Sequence, residues 1–222
     1  SPGDDPGEMQ LDEDELKAII NTSKYCAKPT VAHAYTSETI DLLVKLGITE
    51  IEHGTLMKPH TANLMEENSI RYVPTIFSLM PPDDDIDVSK LPPKSPAYER
   101  KLKKYSAQLV ESRKTVIDMI LNSKATIGLG SDLVAVYSNC DSWREFKAWR
   151  DIGIPALRTL VAASSANARI IGRDDLGIID SGKTADISAW GRDLISDHKA
   201  LSECSFVMKE GTVYRGGDYV NA

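Results

Sequence analysis

Apolar positions along the chain recur with two different periods, and their alternation lays out the elements. Leu16, Ile19 and Ile20 fall at helical spacing behind Asp12, an N-cap residue with Glu15 three positions on, which predicts a helix to about Ala27. Lys28-Pro29 then leads into a short strand closing at His33. A second helical pattern covers Ser37 to about Leu46, with Gly47 in the position that ends a helix. A strand over 48–53 closes at His53, a helix follows from about His60 to Asn68, and a strand over 70–75 carries no obvious ligand. A long amphipathic pattern over 96–123 turns Leu109, Val116, Ile117 and Ile120 inward. The run 125–131 reads as one more strand, closing at Asp132, and helices over 141–151 and 155–171 complete this part.

Strands alternating with helices at about 20 residues per unit predict a parallel α/β sheet. The segment 78–95, with Met80-Pro81-Pro82-Asp83-Asp84-Asp85 and Pro92-Pro93, breaks the rhythm. It reads as a long surface loop, either a lid beside a substrate or a plain insertion. Beyond about residue 174 the pattern changes to short strands and tight turns, as in a small β domain. There, 206–214 reads as a hairpin turning at Glu210-Gly211.

The 222 residues suffice for a sizeable core, and 41% hydrophobic with 27% charged residues is ordinary for a globular protein. A net charge of −7 argues against a nucleic-acid or anionic-membrane surface. The densest basic stretch, Arg100 to Lys104, lies in a helical pattern and reads as a solvated face. Three cysteines, Cys26, Cys140 and Cys204, are too few and too scattered for a disulfide framework, and Cys26 reads as a small packed residue at a helix end. No run approaches the ~20 apolar residues of a membrane span. No signal peptide opens the chain, so a cytoplasmic location is the expectation. Ser1 to Gly7 has loop composition, as though the chain began inside a longer protein.

Candidate chemistry sits where the strands end. His33, His53 and Asp132 each close a predicted strand, and a parallel barrel gathers those ends on one face. Two imidazoles and a carboxylate converging there suit a divalent metal of the hydrolytic zinc type. Taken singly, the histidines also read as surface residues and Asp132 as a helix cap; it is their shared position that favours ligation. His60, at a helix start, and His198, in the tail, read as exposed. Arg144 and Glu145 read as helix-surface residues. Gly128 and Gly130 permit either close approach of a ligand or simple packing.

Ala32-His33-Ala34-Tyr35-Thr36, Ile51-Glu52-His53-Gly54-Thr55-Leu56 and Gly128-Leu129-Gly130-Ser131-Asp132-Leu133 resemble the amidohydrolase superfamily, in its imidazolonepropionase-like branch with the Xaa-Pro dipeptidases. Ala162 to Ala168, Gly177-Ile178 with Gly182 to Asp186, and Val207 to Gly211 extend the resemblance over nearly the whole chain. It implies a partial (β/α)8 barrel, strands 5–8, over residues 1–173, followed by part of a small β-sandwich domain over 174–222. It also implies that His33 and His53 hold a metal and that Asp132 is both a ligand and the general base. Tyr35 would contact substrate. The ion would be zinc, one or two in the complete protein. Relatives often carry Pro-Arg where this chain has Ser37-Glu38, which counts against a strict dipeptide substrate.

The family's strand-1 His-x-His pair and strand-4 lysine have no counterpart in these 222 residues, which hold only four histidines. The expected function is therefore hydrolysis of amide or peptide C–N bonds in small dipeptide-like or N-acyl-amino-acid-like substrates, by hydroxide generated at the metal, with this chain supplying half of the site. The expected partner is the missing N-terminal barrel half, and exposed strand edges predict self-association. A catalytically inactive fragment acting as a binding or scaffold domain is the alternative. A flavodoxin-like domain fits the periodicity but leaves the polar strand ends unexplained.

Overall fold

The computed structural model describes residues 8–79, 96–133 and 141–216, with side chains for all of these except 78–79, 96–106 and 198. The loop read over 78–95 lies outside the described residues after its first two positions, as does Cys140. Two compact units form, one from residues 1–75 and 81–126, the other from 76–80 and 127–222. No helix among the described residues is long and apolar enough to cross a membrane.

The first unit opens with α1 (Glu13–Tyr25), started by the capping box that the sequence predicts. The Glu15 N–H donates to Asp12 Oδ1 at 2.9 Å and the Asp12 N–H to Glu15 Oε2 at 2.8 Å, satisfying two donors that a helix start leaves unpaired. Cys26 caps the far end and is exposed, not packed, because it lies one residue past the last helical turn. There follow β1 (Val31–Thr36), α2 (Ser37–Leu46), β2 (Glu50–Leu56), α3 (Pro59–Glu67), β3 (Arg71–Val73) and the long α4 (Pro96–Asn122). Gly47 ends α2 at φ +89°, a left-handed position that a side chain would strain. On α4, Val116 and Ile120 are buried as predicted, joined by Met119, while Leu109 and Ile117 stay partly exposed.

The three strands form a parallel sheet in the order β1-β2-β3. Register pairs Ala32 with Ile51 and Ile51 with Tyr72, and this row faces α2 and α4. Ile51 and Tyr72 are fully buried there, alongside Ile40 of α2 and Ile120 of α4. Each such side chain contributes about 1.5–3 kcal/mol on burial. The opposite face carries a different row, His33 beside Glu52 beside Val73, preceded by Val31, Glu50 and Arg71.

Pairing of β1 with β2 continues to Thr36 and Leu56 through an irregularity after Ala34. His33 and His53 therefore lie within their strands and not at the ends, contrary to the sequence expectation. The expected strand over 125–131 is also not regular: Ile127 makes an isolated bridge, and the sheet has three strands among the described residues.

In the second unit the reason for that irregular segment is visible. The Asn167 side chain takes the Leu129 N–H on Oδ1 at 3.0 Å and donates Nδ2 to Leu129 O at 2.8 Å. A side-chain amide thus replaces a neighbouring strand as the partner of this backbone. Gly128 makes room for it, since a Cβ there would collide with Asn167 and Ile170. Helix α5 (Trp143–Asp151) is followed by α6 (Ala156–Val161), a π-helical turn (Ala162–Ala166) and α7 (Asn167–Ile170).

The tail forms an antiparallel sheet of β4 (Ile187–Trp190), β5 (Cys204–Lys209) and β6 (Thr212–Arg215). Its predicted hairpin is present, with Glu210 and Gly211 both at positive φ, as its tight turn requires. Upstream of the sheet, the Arg173 guanidinium and the Thr184 hydroxyl both bond the Asp175 carboxylate, holding it well below the usual carboxylate range.

Glu145 corrects the sequence reading most sharply. Expected on the helix surface, it is fully buried. Its carboxylate accepts the N–H of Ile76 at 2.8 Å, of Phe77 at 2.6 Å and of the Trp149 indole at 2.7 Å. Burial pushes this carboxyl up to about 7, against the three donors that favour its ionised form. Arg144 is also mostly covered, paired with Asp141 at 3.3 Å and lying over the Trp143 ring.

Candidate metal centre

In the first unit, the parallel register of β1 and β2 brings His33 and His53 together. His33 Nδ1 lies 2.5 Å from His53 Nε2, and the Glu52 carboxylate joins them so that all three potential ligand atoms fall within 4.8 Å of one another. Glu52 stands beside His33 in the ladder and shares its face. Adjacent residues on a regular strand point to opposite faces, but His53 takes φ +76°, which breaks the alternation and turns its ring toward the other two. A non-glycine residue in that region is strained, by roughly 1–3 kcal/mol, and such strain concentrates at functional sites. Gly54, next in the chain, is also at positive φ; a side chain there would press on the Tyr72 ring.

His53 is buried and held from several sides. Its Nδ1 lies 2.7 Å from Thr75 Oγ1, and its carbonyl oxygen accepts the Tyr72 hydroxyl at 2.8 Å. Tyr35 stacks on the ring with 5.0 Å between centroids and 4° between planes. Next to this group, Glu50 is buried and its carboxyl is pushed up by burial and by Glu52, partly offset by Arg71.

The donor set fits a divalent cation. Two imidazole nitrogens and a carboxylate are the ligand types of hydrolytic zinc sites. One ring has its second nitrogen engaged by a hydroxyl, as metal-bound histidines usually do. At 2.5 Å apart two bare nitrogens would repel, so here one ring presents an N–H to the other.

The structure thus joins His33, His53 and Tyr35 of the predicted site residues. Asp132 belongs to the second unit, where it takes φ +45° after the irregular segment anchored by Asn167. His60 is exposed, as expected, and bonds Asp41 at 3.0 Å on the outer helices. The sequence reading missed Glu52 and Thr75. Glu52 was legible as a carboxylate beside a candidate ligand, but the strand period assigned it to the wrong face. Thr75 offered no signal, because nothing in its neighbourhood marks a left-handed threonine.

Where Ser37-Glu38 was read in place of a basic pair, the Glu38 carboxylate accepts from Lys58 Nζ at 2.9 Å, which holds it below its ordinary range. Ser37 Oγ accepts the Lys58 N–H at 2.9 Å. These residues tie the start of α2 to the start of α3.

Residues 3–217 match the model of the amidohydrolase family. An uncharacterized protein of Mycobacterium tuberculosis (strain ATCC 25618 / H37Rv) is 25% identical over 202 residues, which is 91% of this chain and 52% of the relative. A prolidase solved with N-methylphosphonate-L-proline superposes with a TM-score of 0.80 at 25% identity, covering 97% of this chain and 52% of its own. A Xaa-Pro dipeptidase with methionine bound in its active site gives 0.77 at 29%, covering 93% and 50%. Ochratoxinase of A. niger shares the fold, with a TM-score of 0.80 at 22% identity over 97% of this chain and 48% of its own. The chain spans about half the length of these relatives.

Proposed function

The chain belongs to the amidohydrolase family, and on that premise we propose that it contributes half of the active site of a metal-dependent hydrolase of amide and peptide C–N bonds. The observation that carries this reading is the convergence of His33 Nδ1, His53 Nε2 and the Glu52 carboxylate within 4.8 Å. His33 and His53 would hold the cation, zinc by the chemistry of the donors, with Asp132 as a further ligand. When bound, such an ion supplies an acidified water and polarises a carbonyl.

The chain's own residues have separate roles. His33 and His53 present nitrogen lone pairs from neighbouring strands. Asp132 accepts the proton of the attacking water and returns it to the departing amine. Tyr35, whose ring is partly exposed beside His53, contacts substrate. The prolidase and dipeptidase relatives support a small dipeptide-like or N-acyl-amino-acid-like substrate. The Glu38–Lys58 pair at the start of α2 leaves no basic residue of that helix turn to receive a substrate carboxylate, which favours the broader amide class over strict dipeptides.

In the family pattern, residues 1–173 form the C-terminal half of the barrel and 174–222 part of the small β domain. The other half would supply the remaining metal ligands. Strand β1 is an edge of its sheet among the described residues, so the chain alone is expected to self-associate. A binding or scaffold role without catalysis is the second reading; two imidazoles and one carboxylate are a partial ligand set by themselves.

The test is metal content and amide hydrolysis of the chain combined with a complementary N-terminal half. His53→Ala should abolish both together. Undiminished metal stoichiometry in that variant would remove His53 from the site, and metal binding without hydrolysis in the combined protein would favour the scaffold reading.

A further inference from the structure

We propose that Tyr72 and Ser112 are positioning residues for His53. Their hydroxyls hold two successive carbonyls and so keep the imidazole on the face of His33 and Glu52. Tyr72, fully buried on β3, donates its hydroxyl to His53 O at 2.8 Å. Ser112, buried on α4, donates to Gly54 O at 3.3 Å, and the same oxygen takes the Met57 N–H at 3.0 Å. A carbonyl oxygen only accepts, so the direction of both hydroxyl bonds is settled. Tyr72 stands in the row that faces α4, and Ser112 is on α4 itself, so both donors come from the helix-covered side.

The backbone shows why such a hold is needed. Along a regular strand neighbouring side chains alternate, which would send Glu52 and His53 to opposite faces. His53 at φ +76° and Gly54 at φ +60° interrupt the alternation and bring the imidazole beside Glu52. Glycine adopts such a conformation freely, but histidine keeps it only where the surroundings impose it. Buried carbonyls need partners, and two hydroxyls anchored on different elements favour this one path of the chain. Gly54 admits the phenol, since a Cβ there would stand 2.8 Å from the Tyr72 hydroxyl oxygen. Tyr35 and Thr75 touch the ring of His53, whereas Tyr72 and Ser112 act on the backbone that carries it. The benefit to a cation rests on the metal reading above, but the backbone clamp does not.

The experiment uses the full chain as Tyr72→Phe, Ser112→Ala and the double variant, with Ile120→Val as a control. Ile120 is buried on the same helix, and trimming it loosens the core without removing either hydroxyl. Backbone chemical shifts and the one-bond Cα–Hα coupling of His53, read by NMR on the metal-free chain, separate left-handed from extended backbone. The native chain and Ile120→Val should be left-handed at His53, and the double variant extended. Each single variant should move the same readings part of the way, which carries the test should the double variant not fold. Titration with zinc alone against a competing chelator should show affinity lowered roughly 10–100-fold in the double variant and held within about twofold in Ile120→Val. An extended His53 in the native chain, or a left-handed one in every variant, would overturn the proposal. So would a native chain that binds zinc with the same loss, or none, in both Ile120→Val and the double variant. A native chain that binds no zinc while the His53 backbone still follows the hydroxyls would sink the metal reading and leave the clamp standing.

Discussion

The ring of Tyr35 lies parallel to that of His53, 4° between planes and 5.0 Å between centroids, so one side chain of β1 covers a ring of β2. The stack has two consequences that separate cleanly. The aromatic face supports His53, and in the proposed function the hydroxyl contacts substrate.

Tyr35→Phe keeps the ring and removes the hydroxyl. Its zinc affinity should stay within about twofold of the native chain, while the KM for an amide substrate in the assembled protein rises. Tyr35→Ala removes the stack, worth about 0.5–1.5 kcal/mol, and should weaken zinc binding by about 2–10-fold. Chelator competition and steady-state kinetics measure the two effects. Equal loss of zinc in both variants would show that the hydroxyl, not the ring, supports His53.

Asp132→Asn tests the proton-transfer role. An amide cannot accept the proton of the attacking water, so kcat in the assembled protein should fall by about 10²–10⁴-fold. The two histidines should still bind zinc. A variant retaining more than about a tenth of native kcat would take Asp132 out of the chemistry.

Glu145 predicts a pH dependence of stability. Its carboxyl titrates near 7 when folded, against an ordinary value of 4.5. Between these values the folded chain holds a proton that the unfolded chain has lost, so stability falls as pH rises, by at most about 1.4 kcal/mol per unit. Glu145→Gln removes this slope. It also sets an amide NH₂ against the Phe77 N–H or strands another of the three donors, which should destabilise by about 1–3 kcal/mol. Denaturant unfolding of both proteins at about pH 5 and pH 7.5 gives the comparison. The gap between them should narrow at the higher pH, and a gap that widens would contradict the assignment.

Much of this fold is readable wherever local chemistry decides it. The Asp12–Glu15 box, Gly47 after α2 and the Glu210-Gly211 turn all act within a few residues, and the structure has each where the pattern places it. Long-range partners were not readable. The segment 125–131 has strand composition, yet Asn167, nearly forty residues on, takes the hydrogen bonds that a strand would have made. Glu145 looks like a surface residue until three N–H donors gather around it. The site divides the same way. His33 and His53 were found as imidazoles on successive strands, whereas Glu52 and Thr75 depend on backbone angles that composition does not encode.

The proposed metal site requires that His33 and His53 share one cation. Anomalous diffraction at the zinc edge, from crystals of the chain grown with zinc, tests it most directly. A single strong peak is expected about 2.0–2.1 Å from both His33 Nδ1 and His53 Nε2. A peak bound elsewhere, with these two nitrogens still sharing a proton, would contradict it.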